Sequence, residues 1–249
     1  MKNITFTLLA LIGIISLNAQ TTGQIATYNS FSADGGVTDA LLNYADGSYA
    51  EKNVQNLVSN DSYIQGSPYT SNTFSSTPLY YKDDAVGSVF YRYNALNEEI
   101  EIMKTNAEGE VIQSLAKDKK LNIRPNGKKM SFKTFITSSN RTTNGYLTEL
   151  ISGKKYDLYK RTHVKFNEGE AARNTFSKPI PARFVKFTDF YFQKNGTTRI
   201  DQVAQQKGKF LNLLDHSSQE AVKDYLKKNS LKLKTEADIV QVFEFLNSL

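Results

Sequence analysis

Fifteen consecutive residues, VFYRYNALNEEIEIM (Val89 to Met103), bring one arginine, three glutamates and two tyrosines together. Paired carboxylates are the equipment of general acid–base chemistry, as in glycoside hydrolysis, where one protonates the leaving group and the other attacks or activates water. Such chemistry needs the two carboxyls opposed and partly desolvated. Here Glu99 and Glu101 alternate with Ile100 and Ile102, so both acids fall on one side of a strand. VFYRYN alternates in the same way, and Asn94-Ala95-Leu96-Asn97 is short enough to fold the two runs into a hairpin. Arg92 then faces Glu99 or Glu101 as a cross-strand ion pair, contributing roughly 0.2–1 kcal/mol. The stretch reads as a hairpin with one wet face, and no catalytic residue is assigned to it.

The histidines carry little chemistry. His163 alternates with Val164 and Phe166 in KRTHVKF and is expected on the polar face of a strand. His216 precedes Ser217 and is expected in a loop. Two histidines with no cysteine and no nearby carboxylate motif do not match zinc-ligand spacing. The chain holds no G-x-S-x-G elbow, P-loop or dinucleotide fingerprint. SADGGVTD and YADGSYAEKN have the oxygen-rich residues of a calcium loop without its ligand spacing. No catalytic, cofactor-binding or metal-ligating residue is therefore assigned, no cofactor is expected, and the expected role is non-enzymatic.

The elements around these residues follow from periodicity. Between Leu79 and Gln193 apolar and polar residues alternate at period two in LYY, VGSVFYRYN, EEIEIM, EVIQSL, KLNIR, MSFKTFI, YLTELI, YDLYKR and HVKF. A longer aromatic strand, RFVKFTDFYFQK, meets an Asn195-Gly196 turn and a return strand, a strong hairpin signal. The C-terminal part switches to helical spacing. FLNLL (Phe210 to Leu214) predicts a short helix. Ser217 with Glu220 has capping-box spacing ahead of Ala221, Val222, Tyr225 and Leu226 on one face. Thr235 with Asp238 repeats the cap, and Ile239, Val242, Phe243, Leu246 and Leu249 follow at helical spacing. The predicted fold class is α+β: an antiparallel sheet of about eight or nine strands, as a meander, roll or sandwich, with two or three C-terminal helices packed on it.

Lys2, the apolar run ITFTLLALIGIISL (Ile4 to Leu17) and Asn18-Ala19-Gln20 have the order of a secretory signal peptide. The run is shorter than the roughly 20 apolar residues of a membrane-spanning helix. The reading is therefore a signal peptide at 1–19 cleaved after Ala19, a periplasmic location and no transmembrane span after cleavage. Residues 20–65 form a polar, partly flexible arm with one short helix near Thr38 to Tyr44; 66–201 form the β domain and 202–249 the helical segment. The absence of cysteine excludes disulfides and thiol chemistry. The net charge is +6, or 6 − 1 = +5 once Lys2 leaves with the signal. Outside the cytoplasm nucleic acid is not an expected partner; the basic excess reads as a solvated surface, with anionic headgroups, acidic glycans or an acidic protein as the alternative it could meet.

GSPY (Gly66 to Tyr69), YRYN (Tyr91 to Asn94), NEEIEI (Asn97 to Ile102) and KKNSLKLKTEADIVQVFEFLNSL at the C-terminal end resemble a group of uncharacterised exported proteins of the Bacteroidota. The resemblance spans Gly66 to Leu249 and implies export and a shared scaffold, with no activity to carry over. Residues and resemblance together lead to an expected role as a non-enzymatic periplasmic accessory protein. Its partner would be another protein, such as a member of an outer-membrane complex, with peripheral association at that membrane. A small-ligand or glycan-binding β module using exposed Tyr and Phe is the alternative, and a carboxylate-dependent hydrolase the third.

Overall fold

The computed structural model describes residues 64–249 except position 173. The expected signal peptide, nearly all of the polar arm with its short helix, and both calcium-like loops lie outside the described residues. The described chain is α+β. Ten strands come first: β1 (Ser75–Tyr81), β2 (Asp84–Asn94), β3 (Glu99–Met103), β4 (Gln113–Ser114), β5 (Leu121–Ile123), β6 (Met130–Ile136), β7 (Thr142–Ile151), β8 (Tyr156–Asn167), β9 (Arg183–Lys194) and β10 (Ile200–Gln202). Three helices follow: α1 (Lys207–Leu211), α2 (His216–Lys228) and α3 (Glu236–Ser248).

The strands form one sheet in the order β10-β9-β8-β7-β6-β5-β1-β2-β3-β4. Neighbours in that order are antiparallel, but β10 also meets β6 in a parallel contact, Asp201 opposite Ile136. That contact closes β6 to β10 into a five-stranded ring. The expected eight or nine strands become ten. EVIQSL supplies only the two-residue β4, whereas YDLYKR and HVKF merge into a single β8, because Thr162 continues the pleat against Thr188 of β9.

The start of strand β8 packs on both faces, successive side chains pointing to opposite sides. Tyr156 and Leu158 face the helices, where they join Phe190, Phe192, Phe210, Val222, Leu226 and the stripe of α3. Tyr159 faces the inside of the ring with Phe135, Leu147, Tyr191 and Ile200. A third cluster, centred on Leu79, Val89, Tyr93, Ile100, Ile102 and Ile123, fills the β1–β3 end.

Helix α3 lies along β8. Its Thr235 side chain accepts the Asp238 N–H at 3.1 Å, the cap read from the sequence. Glu236 reaches Lys160 at 3.1 Å. At the other end, Asn247 Oδ1 accepts the backbone N–H groups of Lys155 and Tyr156, both at 2.9 Å. The α2 start departs from expectation: His216 is already helical, Asp215 is the N-cap residue, and Ser217 makes no cap. Asp215 bonds Lys194 instead of its own helix. Leu249, expected on the stripe, is 47 % exposed because the helix ends at Ser248.

Phe243 packs edge-on or tilted against Tyr156, Phe192 and Phe210, with ring centroids 5.5–6.2 Å away. Its truncation leaves a cavity in the centre of the largest core. Phe243→Ala is expected to cost about 3–5 kcal/mol, read as a lower midpoint in urea at unchanged slope. An unchanged midpoint would mean that the helix is not part of the cooperative unit.

Candidate functional site

The RYN-acidic hairpin pairs as expected, with Arg92 directly opposite Glu101. Its environment does not match the expected wet face. Strand β3 is buried on both sides, and the Glu101 side chain is 1 % exposed. Arg92 donates to Glu101 Oε2 from Nε at 2.9 Å and from Nη2 at 2.5 Å, while Asn94 Nδ2 donates to Oε1 at 3.1 Å. The rings of Tyr69 and Phe74 cover the guanidinium at 3.8 and 4.6 Å.

The GSPY segment makes this enclosure. Pro68 C=O accepts the N–H groups of Ala95 and Leu96, and the Thr70 N–H donates to Tyr93 C=O. Gly66 is required where the segment passes β9: its φ is +82°, and a Cβ there would lie 2.8 Å from the Phe184 carbonyl oxygen. GSPY, RYN and EEIEI are thus one packed unit. Both Glu101 oxygens are engaged, so this carboxylate is placed for structure rather than acid–base work.

The acidic residue of most interest in this stretch is Glu98, expected to open the strand-like run EEIEIM but found in the turn just before β3. It sits at φ +53° and turns its carboxylate to Arg161 of β8. Arg161 Nε donates to Glu98 Oε2 at 3.0 Å, and Nη2 donates to Oε1. Gly145 of β7 makes the room, since a Cβ there would sit 2.5 Å from Glu98 Oε2. Two residues along the same face of β8 stands His163, 3.5 Å from Asp189 Oδ2 and stacked on Phe187 at 5.3 Å. It therefore faces the ring side of β8 rather than an open polar surface.

Asp189 is held by Gln202 Nε2 at 3.1 Å, and Gln202 Oε1 accepts the Ser138 N–H at 2.7 Å. His163 Nδ1 is buried and has no hydrogen-bond partner among the described residues. Burial, aided by the Arg161 charge, lowers its pKa against the opposing pull of Asp189. Neutral and without a partner at Nδ1, it has the carboxylate of a catalytic dyad but not its geometry. His216 lies in the first turn of α2 and is exposed. Among the described residues no cluster of His, Asp and Glu is arranged to hold a metal ion.

An open surface lies elsewhere. A groove of about 510 Å³ runs between β2 and the β7–β8–β9 surface, lined by Tyr91, Tyr93, Tyr146, Lys128, Lys160 and Lys186. Threonines 148, 162 and 188 complete its strand-built wall. The sheet register puts Thr162 opposite Thr188, Thr148 opposite Lys160, and Lys186 opposite Val164. Among the described residues no carboxylate lines it. Sequence reading missed the groove because its residues, Thr70 included, come from six separate segments, although each lysine sits in a visible strand or turn.

The chain matches no protein-family model, and neither a curated protein nor a solved structure matches it significantly.

Two expectations follow. Arg92→Ala leaves the enclosed Glu101 without its partner, and the cost rises from the few tenths of an exposed pair to about 3–5 kcal/mol; a chemical melt showing a loss under about 1 kcal/mol would contradict the enclosure. A histidine whose folded pKa lies below its unfolded value of about 6.5 costs nothing above that pH and destabilises the fold as pH falls below it. The wild-type melting temperature should therefore decline as the pH falls below about 6.5, less steeply in His163→Gln; parallel curves would contradict the assignment.

Proposed function

We propose that the protein is a non-enzymatic accessory protein, exported to the periplasm, that docks onto a protein partner at the outer membrane through the tip of its β8–β9 hairpin. The observation that carries this is the tip itself. The two strands stay paired through Asn167 and Arg183, and the ribbon continues through the bridge of Glu170 with Ile180. Beyond it Phe176 is 99 % exposed and Ile180 is 52 % exposed. Asn174 Oδ1 accepts the N–H groups of Phe176 and Ser177, which holds the turn in shape.

An aromatic side chain held clear of the body on a braced ribbon costs solubility and gains nothing internally. Exposed aromatics of this kind are typical anchors of protein interfaces, and burying a phenylalanine contributes roughly 1.5–3 kcal/mol. A non-enzymatic role is supported by the use of Glu98 and Glu101 in internal ion pairs. Export rests on the signal-like start of the chain.

Affinity capture from detergent-extracted membranes, with wild type and Phe176→Ser side by side, tests the reading. A membrane protein retained by wild type and lost by the variant, at equal melting temperature, is the expected result. Identical captured sets from the two would remove the hairpin tip from the proposal.

A further inference from the structure

We infer that the groove between β2 and the β7–β8–β9 surface is a binding site for a short acidic oligosaccharide, one whose sugars carry carboxylate groups. The inference uses a different surface from the hairpin tip and stands independently of the docking proposal. Its first support is charge. Lys128, Lys160 and Lys186 line the groove without a lining carboxylate, and Glu236 offsets only Lys160, from the helix side at 3.1 Å. A concave wall of one sign concentrates its field on an anion.

The second support is shape. Lys160 and Lys186 stand at Phe190 and Val164 in the β8–β9 register, four positions apart along the ribbon. That spacing is about 13 Å at strand rise, too long for one small ion to bridge and suited to charges repeated along a chain. Between them the paired hydroxyls of Thr162 and Thr188 are placed for sugar hydroxyls. The half-exposed Tyr91 ring offers a face to the C–H side of a pyranose.

The third support is an orphan. Tyr93, at the groove floor, is 3 % exposed, and its phenol oxygen, sealed from solvent, has no hydrogen-bond partner among the described residues. Buried polar groups are rarely left so, because each costs free energy until something satisfies it. A small tilt of the ring toward the groove would let a sugar oxygen supply the acceptor. An acidic peptide would meet the lysines but leave the hydroxyl ladder and the ring face unused.

Titration calorimetry with hexagalacturonate tests this, with the neutral hexasaccharide cellohexaose and hexaglutamate as controls. Saturable binding of hexagalacturonate that weakens with added salt is expected, about tenfold weaker in Lys186→Gln. Tyr93→Phe, which removes only an unpartnered oxygen, should melt no lower than wild type yet bind several-fold more weakly. Cellohexaose or hexaglutamate binding as tightly as hexagalacturonate would overturn the inference, as would unchanged affinity in Lys186→Gln or no saturable binding at all.

Discussion

Strand β8 has to satisfy two interiors at once, and the rest of the described structure is arranged around that demand. Tyr156 and Leu158 close the helix-covered core and Tyr159 fills the ring, so both faces are packed over its first four residues. A strand in that position cannot slip by one residue, because a slip would send Leu158 into the ring and Tyr159 under the helices. The long pairing with β9, unbroken from Tyr156 through Asn167, holds the register. Asn247 and Glu236 hold α3 to the same strand at its start and near its middle.

Charge follows the same plan. Where β8 leaves the apolar part of the ring, Arg161 is buried enough to need a partner, and Glu98 arrives from the β2–β3 turn to provide it. The Arg92–Glu101 pair does the equivalent service on the other side of that hairpin. Both pairs are expensive to break and modest in what they add, since desolvation offsets much of their attraction. Their value lies in fixing where the hairpin sits against β8, a contact also made by the Val164 N–H to Ala95 C=O at 2.8 Å. The charges left over, chiefly lysines on the outer strand faces, are the ones a ligand can meet.

Local patterns in the sequence carried the strands, the α+β class and the Thr235 cap, because period two, period 3.6 and capping each need only a few neighbouring residues. Arg92 against Glu101 was legible too, since a short turn makes cross-strand partners countable. What alternation could not disclose was burial of the polar side. Glu101 reads as an outward residue until Tyr69 and Phe74 are known to cover Arg92. Glu98 with Arg161, and the groove itself, unite residues from distant segments, and no local rule connects them. The Ser217 cap failed for a related reason: Asp215, drawn to Lys194 of β9, starts the helix two residues early.

The closure of β10 onto β6 has a kinetic side. It joins Asp201 to Ile136 through a single parallel contact, after four hairpins have been laid down between them. Neighbouring hairpins zip quickly from their turns, but a contact between such distant points must wait until the intervening loops have lost their freedom. The ring is therefore expected to be the last part of the sheet to form. Until it forms, β10 and the later part of β6, beyond its pairing with β5, remain edges able to pair with another chain. The barrier that delays assembly also separates the finished ring from those open states, so the native form gains persistence from the same topology that makes it slow to reach.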